Sequence, residues 1–167
     1  MTKRSLILLS LMGLLVFGLL PNRPAVSHEG RMPLEVFVPG KAGFEKTIPA
    51  GGKLYGTGSY TLIAEPLFDP VTGERSGRTT GICTVVRFIR HRHDGLLQCE
   101  HILFLRDGTL TASFGLRFSE AEAGIEPALA VTGGTGRYAA AGGGGTAEPG
   151  KMGEARGDYL RFELHLP

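Results

Sequence analysis

TTGICTVVRFIRHRHDGLLQCEHILFLRDGTLTASFGLRF, residues Thr79 to Phe118, holds three runs rich in β-branched, aromatic and other apolar side chains, divided by two polar breaks. Thr79 to Arg90 and Leu96 to Arg106 flank a short polar turn around His91. Asp107-Gly108, a dipeptide suited to the positive φ of tight hairpins, separates the second run from Thr109 to Phe118. Such residues fit a pleated, half-buried surface, so the stretch predicts three consecutive antiparallel strands. Cys83 and Cys99 fall on the two arms of the first hairpin. Their numbers sum to 182, so a turn centred near His91 sets them opposite each other on one face. Two readings stay open: a disulfide, which persists in an oxidising compartment, or two buried thiols packed as small apolar groups.

Further runs of the same kind lie on either side. Leu34 to Val38, Ser59 to Phe68, Leu129 to Thr132, Arg137 to Ala141 and Asp158 to Leu166 bring the expected strands to eight. Pro66 marks the second of these as an edge strand or the site of a bulge. Glycine, at 26 of 167 residues, falls between the runs as turns do. The low-complexity segment from Ala139 to Gly157 reads as a flexible loop. An antiparallel sheet of this size splits into a sandwich or closes into a barrel, and closure removes the exposed edges.

The chain opens with Lys3 and Arg4, an apolar run from Leu6 to Leu20, two prolines and the small-residue segment Pro24-Ala25-Val26-Ser27. A basic start, a short apolar middle and a small-x-small end form a secretory signal peptide, and a spanning helix needs a longer run, of roughly 20 apolar residues. The expected organisation is a signal peptide at 1–27 and one domain at 28–167, secreted or periplasmic, with no stable membrane span after cleavage. Cleavage removes Lys3, Arg4 and Arg23 from 18 basic residues and none from 16 acidic ones, leaving 15 against 16. Mixed charge and the absence of tryptophan argue against a nucleic-acid partner, which calls for a basic face with stacking aromatics.

Val131 to Gly136 reads VTGGTG, a string that also opens nucleotide-binding folds. There it follows a strand, precedes a helix and sits in a βαβ unit. Here Arg137-Tyr138 and AAAGGGGT follow, a run that cannot sustain a helix. No nucleotide cofactor is expected, and the string reads as a tight glycine turn between strands. His91 and His93 supply only two of the ligands a metal needs, so no metal site is expected either.

LAVTGGTGRYAAAGG, from Leu129 to Gly143, resembles the motif near the end of the allene oxide cyclase and dirigent barrel proteins. GSYTLIAEPLFDPVTGERSGRTTGICTVV, from Gly58 to Val86, is similar to that family's strand, acidic loop and Gly-x-Cys strand, and LRDGTLTASF, from Leu105 to Phe114, to its Asp-Gly hairpin. The ordered likeness runs from about Gly58 to Gly143. It implies an eight-stranded antiparallel closed barrel, often a homotrimer, with an apolar cavity. The plant cyclases isomerise an unstable fatty-acid epoxide, largely by holding it in shape for an intramolecular closure, and dirigent proteins orient phenoxyl radicals. Fold alone does not assign either activity.

By resemblance, Cys83 lines the cavity, Asp69 borders it from the acidic loop, Tyr138 is the packed aromatic after the glycine turn, and Glu35 is a weak match to a first-strand glutamate. With Cys83 facing inward, period 2 adds Val85 and Arg87 on its strand, and Leu97, Cys99, His101 and Leu103 on the opposite arm. A slip of one residue would turn the whole set outward. Glu65, Arg87 and His101 are then the polar candidates in an apolar lumen, where a desolvated histidine can serve as acid or base. Three functions compete. The first is a barrel that binds and orients a small hydrophobic or aromatic molecule without a cofactor. The others are an isomerase or cyclase acting on a lipid- or polyketide-like substrate, and an envelope barrel with a filled lumen.

Overall fold

In a computed structural model, the described residues are 30–40, 42–52, 56–92 and 94–167. The segment expected to be removed, 1–27, lies outside them, as does His93. Among the described residues no helix is long and apolar enough to cross a membrane. The described residues form nine strands, β1 (Gly30–Pro39), β2 (Phe44–Ile48), β3 (Tyr60–Phe68), β4 (Arg75–Ile89), β5 (Asp94–Leu105), β6 (Gly108–Arg117), β7 (Ala128–Gly134), β8 (Gly142–Met152) and β9 (Ala155–Leu166), with one short α-helix, α1 (Phe118–Glu122), between β6 and β7.

Each strand from β3 to β9 pairs antiparallel with the next, and β1 pairs along its whole length with β9, from Gly30 opposite Leu166 to Pro39 opposite Gly157. At Phe37, β1 also meets Phe68 of β3. The chain then turns away from β9 and runs on along β3 as β2, from Phe44 opposite Ala64 to Ile48 opposite Tyr60. β1 and β2 are thus one broken strand shared between the two edges it joins, and an eight-stranded antiparallel barrel closes around it.

The three-strand stretch folds as its pattern predicts. Cys83 stands opposite Cys99, and the two form a disulfide. The two-residue turn after β5 is Arg106-Asp107, with Gly108 already in β6 at φ 150°.

Three expectations need correction. Arg137 to Ala141 is not a strand but a single 3-10 turn at Gly136–Tyr138. It docks on the β5–β6 hairpin, where the Arg137 N–H donates to the Asp107 carbonyl. A Cβ on Gly136, at φ 61°, would lie 2.3 Å from that carbonyl, which explains the glycine in the turn. The segment expected to be a loop contains β8, paired with β9 from Gly142 opposite His165 to Met152 opposite Ala155. Glycine weakens a strand on its own; here it permits close approach, since Cβ atoms on Gly143 and Gly145 would lie 2.1 and 2.2 Å from the carbonyls of Glu163 and Arg161. Arg87 does not share the face of Cys83. A bulge at Val86 sets Arg87 opposite Leu96, reverses the alternation and leaves Arg87 exposed on the outside.

The barrel is packed at one end and hollow beyond it. Leu67, Leu103, Leu110 and Leu164 are fully buried and join Val36, Phe162 and Tyr138 in one apolar cluster.

Candidate functional site

A cavity of about 210 Å³ lies next to that cluster, with Leu103 shared between them. Its wall is mostly apolar, including Val38, Ile63, Phe114, Leu129, Leu160 and Phe162. The polar groups on it are Glu65 from β3, Thr79 from β4, His101 from β5 and Asp158 from β9, together with the sulfur of Cys83. The Thr79 hydroxyl already donates to the Ile102 carbonyl, at 3.3 Å. A second lobe of about 190 Å³ adjoins through Ile63 and Cys83 and is lined by Ser59, Thr61, Val85, Leu97 and Phe118, with Glu45 of β2 beside them.

The inward set follows from the register. Residues directly opposite share a face, so Ile63–Gly81–His101–Ala112 and Thr61–Cys83–Cys99–Phe114 form successive rows across β3 to β6. The Gly81 position gives room to the imidazole: a Cβ there would lie 2.7 Å from both Cε1 and Nδ1 of His101. On its other side the imidazole stacks on Phe114, with ring centroids 5.8 Å apart and planes 20° from parallel. The sequence Gly81-Ile82-Cys83 thus holds two features of the lumen, a seat for His101 and one half of the disulfide.

Asp158 is the residue that the sequence reading missed. It begins the run DYLRFELHL, in which Leu160, Phe162 and Leu164 all point inward, so the period of 2 that located His101 would also have located Asp158. The broken strand brings it towards Glu65. Asp158 sits opposite Val38 near the end of β1, while Glu65 follows Ala64, which is opposite the start of β2. A Cβ on Gly43, in the break itself, would touch Glu65 Cγ at 2.6 Å.

Burial shifts all three groups, and on Glu65 neighbouring charge acts in the same sense. Desolvation pushes the Glu65 carboxyl above its ordinary range, and the charges of Asp158 and Glu45 push it further. Desolvation also raises Asp158 and holds the His101 imidazole below its ordinary range. In each case the apolar wall works against the charged form of the group.

Of the residues singled out from sequence, Glu65, Cys83 and His101 meet in the main cavity, and Val85 and Leu97 line the adjoining lobe. Arg87 is outside. Asp69 caps the β3–β4 turn: its Oδ1 accepts the N–H groups of Val71 and Thr72 at 2.8 and 2.9 Å, which hold its carboxyl below the usual range. Asp69 and Tyr138 both border a separate hollow at the packed end, with Tyr138 buried beneath it. Glu35 points outward and pairs with Arg161 at 2.8 Å. Among the described residues no group of three or more His, Cys, Asp or Glu could hold a metal ion.

No family model and no curated protein matches the sequence. Solved structures do match. A pyocyanin demethylase superposes with a TM-score of 0.63 at 19% identity, over 80% of this chain and 99% of that one. The Diels–Alderase AbmU from Streptomyces koyangensis gives 0.62 at 16%, over 82% and 65%. A pterocarpan synthase dirigent protein gives 0.58 at 18%, over 89% and 96%. At this identity the likeness is one of fold: the chain has the closed antiparallel β-barrel found in dirigent proteins and Diels–Alderases.

Proposed function

We propose that this chain is an exported barrel that binds a small hydrophobic or aromatic molecule in its lumen and holds it in a fixed orientation. The observation that carries this reading is the cavity itself. It is concave, largely apolar and supplied with a few convergent polar groups, the usual composition of a ligand site. At about 210 Å³ it falls below the roughly 300–1,000 Å³ of drug-sized sites, so it favours a ligand of one or two rings, with room to extend into the second lobe. An envelope barrel with a filled lumen would carry side chains where this space lies.

A second reading is favoured by the polar groups on that wall. An isomerase or cyclase could use the carboxyl of Glu65 or Asp158 as general acid and the imidazole of His101 as base. In that case Glu65→Gln and His101→Asn lower turnover and leave ligand affinity largely intact; a pure carrier has no turnover to lose. Export and a homotrimeric state belong to the same proposal, on the signal-like segment and the family resemblance respectively. Native mass spectrometry of protein from its own host tests the whole reading, since it reports the mature N-terminus, the subunit count and any bound molecule. A mature barrel with no co-purifying molecule and no affinity for a neutral probe such as 1-naphthylmethanol would refute lumen binding.

A further inference from the structure

The electrical character of the lumen narrows the ligand further, on the premise that the lumen is the binding site. Two carboxyl groups, Glu65 and Asp158, face the main cavity from opposite sides of the broken strand, and Glu45 stands at the adjoining lobe. Among the described residues no lysine or arginine lines either space. The one arginine expected there from sequence, Arg87, is turned outward by the bulge. The nitrogen base on the wall is His101, flattened against Phe114. Carboxylates in an apolar enclosure without a counter-ion are costly, and a cationic guest would offset that cost. The imidazole and phenyl rings together give the wall an aromatic patch that an aromatic guest can contact.

We propose that the lumen selects a small aromatic cation, a protonated arylalkylamine or an N-heteroaromatic cation, with its charge held by Glu65 and Asp158 and its ring against His101 and Phe114. The selection comes from charge as well as shape. A neutral isostere fills the same space and leaves the two carboxylates uncompensated, and an anion adds a third like charge. Selection weakens in acid, because protonation of Glu65 and Asp158 removes the attraction. Glu45 acts in the same sense as the pair, and His101 opposes a cation once it is itself protonated.

Three naphthalenes of matched shape test this: 1-naphthylmethylammonium, 1-naphthylmethanol and 1-naphthylacetate, titrated at pH 7 by fluorescence. The protein has no tryptophan, so the naphthalene signal is read almost without background. The expected order is ammonium over alcohol by about tenfold or more, the range of a charge-assisted contact, with the carboxylate weakest. Glu65→Gln and Asp158→Asn each reduce the preference for the ammonium over the alcohol, and together they abolish it. Lowering the pH to 4.5 reduces it in the wild type. Circular dichroism verifies the fold of each variant, and either single variant suffices if the double does not fold. Equal affinity for ammonium and alcohol, or a preference that survives in the folded variants, overturns the proposal and leaves lumen binding standing. If none of the three binds, lumen binding itself fails and the proposal fails with it.

Discussion

Replacing both cysteines by alanine, Cys83→Ala with Cys99→Ala, removes a cross-link between directly opposed residues of the β4–β5 hairpin. The bridged residues are 16 apart in sequence. The loop-closure entropy released to the unfolded chain by opening a loop of that size corresponds to about 3 kcal/mol at 25 °C. Cys99 is 2% exposed, so loss of its sulfur leaves a small void that acts in the same direction. For a domain of this size, about 3 kcal/mol lowers Tm by about 10 °C. Alanine is preferred to serine because a hydroxyl in the lumen wall would add a desolvation cost of its own. The assay is reversible thermal and urea unfolding of oxidised wild type, reduced wild type and the double variant at one pH. The urea slope should rise in the variant, because its denatured state is more expanded. A Tm change under about 2 °C with an unchanged slope would refute the reasoning; it would mean that the hairpin stays closed in the denatured chain and that the bridge constrains nothing.

Four other outcomes follow from the lumen. Glu65 and Asp158 hold protons more tightly when folded, so their contribution to stability is complete below about pH 4 and is lost as the pH rises through their raised folded values. Glu65→Gln should therefore flatten the decline of stability towards pH 7 in denaturation curves. His101 binds its proton less tightly when folded; its contribution is present above about pH 6.5 and is lost as the pH falls through its lowered folded value, so His101→Gln should gain on the wild type in acid. Gly81→Ala forces the imidazole off its seat at an overpacking cost of about 1–3 kcal/mol. It should shift the His101 ring resonances in NMR, and unchanged resonances would contradict the close contact. Leu103→Ala, at a fully buried position shared by the core and the cavity, should cost about 2–5 kcal/mol and admit a bulkier naphthalene than the wild type accepts in the same fluorescence titration.

The β4–β6 region was legible because its signals agree: β-branched runs, turn residues between them and two cysteines at matching positions. Register followed from the same numbers, which is why His101 and Leu103 could be assigned to the face of Cys83. Arg87 was misassigned because a bulge inserts one residue and reverses every face beyond it, with no signature in a run such as TVVRFIR. β8 was invisible for a different reason. GGGGTAEPGKM has neither alternation nor propensity, and its strand form comes from β9, a partner whose carbonyls the glycines can approach. β2 went unread because FEKTI is short and continues β1 after a break. That break also hid the shared wall of Glu65 and Asp158, which are remote in sequence and line one cavity only through closure.

Closure through β1 also bears on the order in which the chain can fold. Gly30 pairs with Leu166, so the first described residue waits for nearly the last. The hairpins from β3 to β7 contain their own partners and can form while the chain is still emerging; the seam cannot. Until the C-terminal strand arrives, β1 lacks its long partner and remains a template for any passing strand, and non-local pairing of this kind is slow. The lumen and its carboxyl pair are consequently the last part of the molecule to come into being. A chain interrupted before β9 would hold most of its hairpins and no site at all.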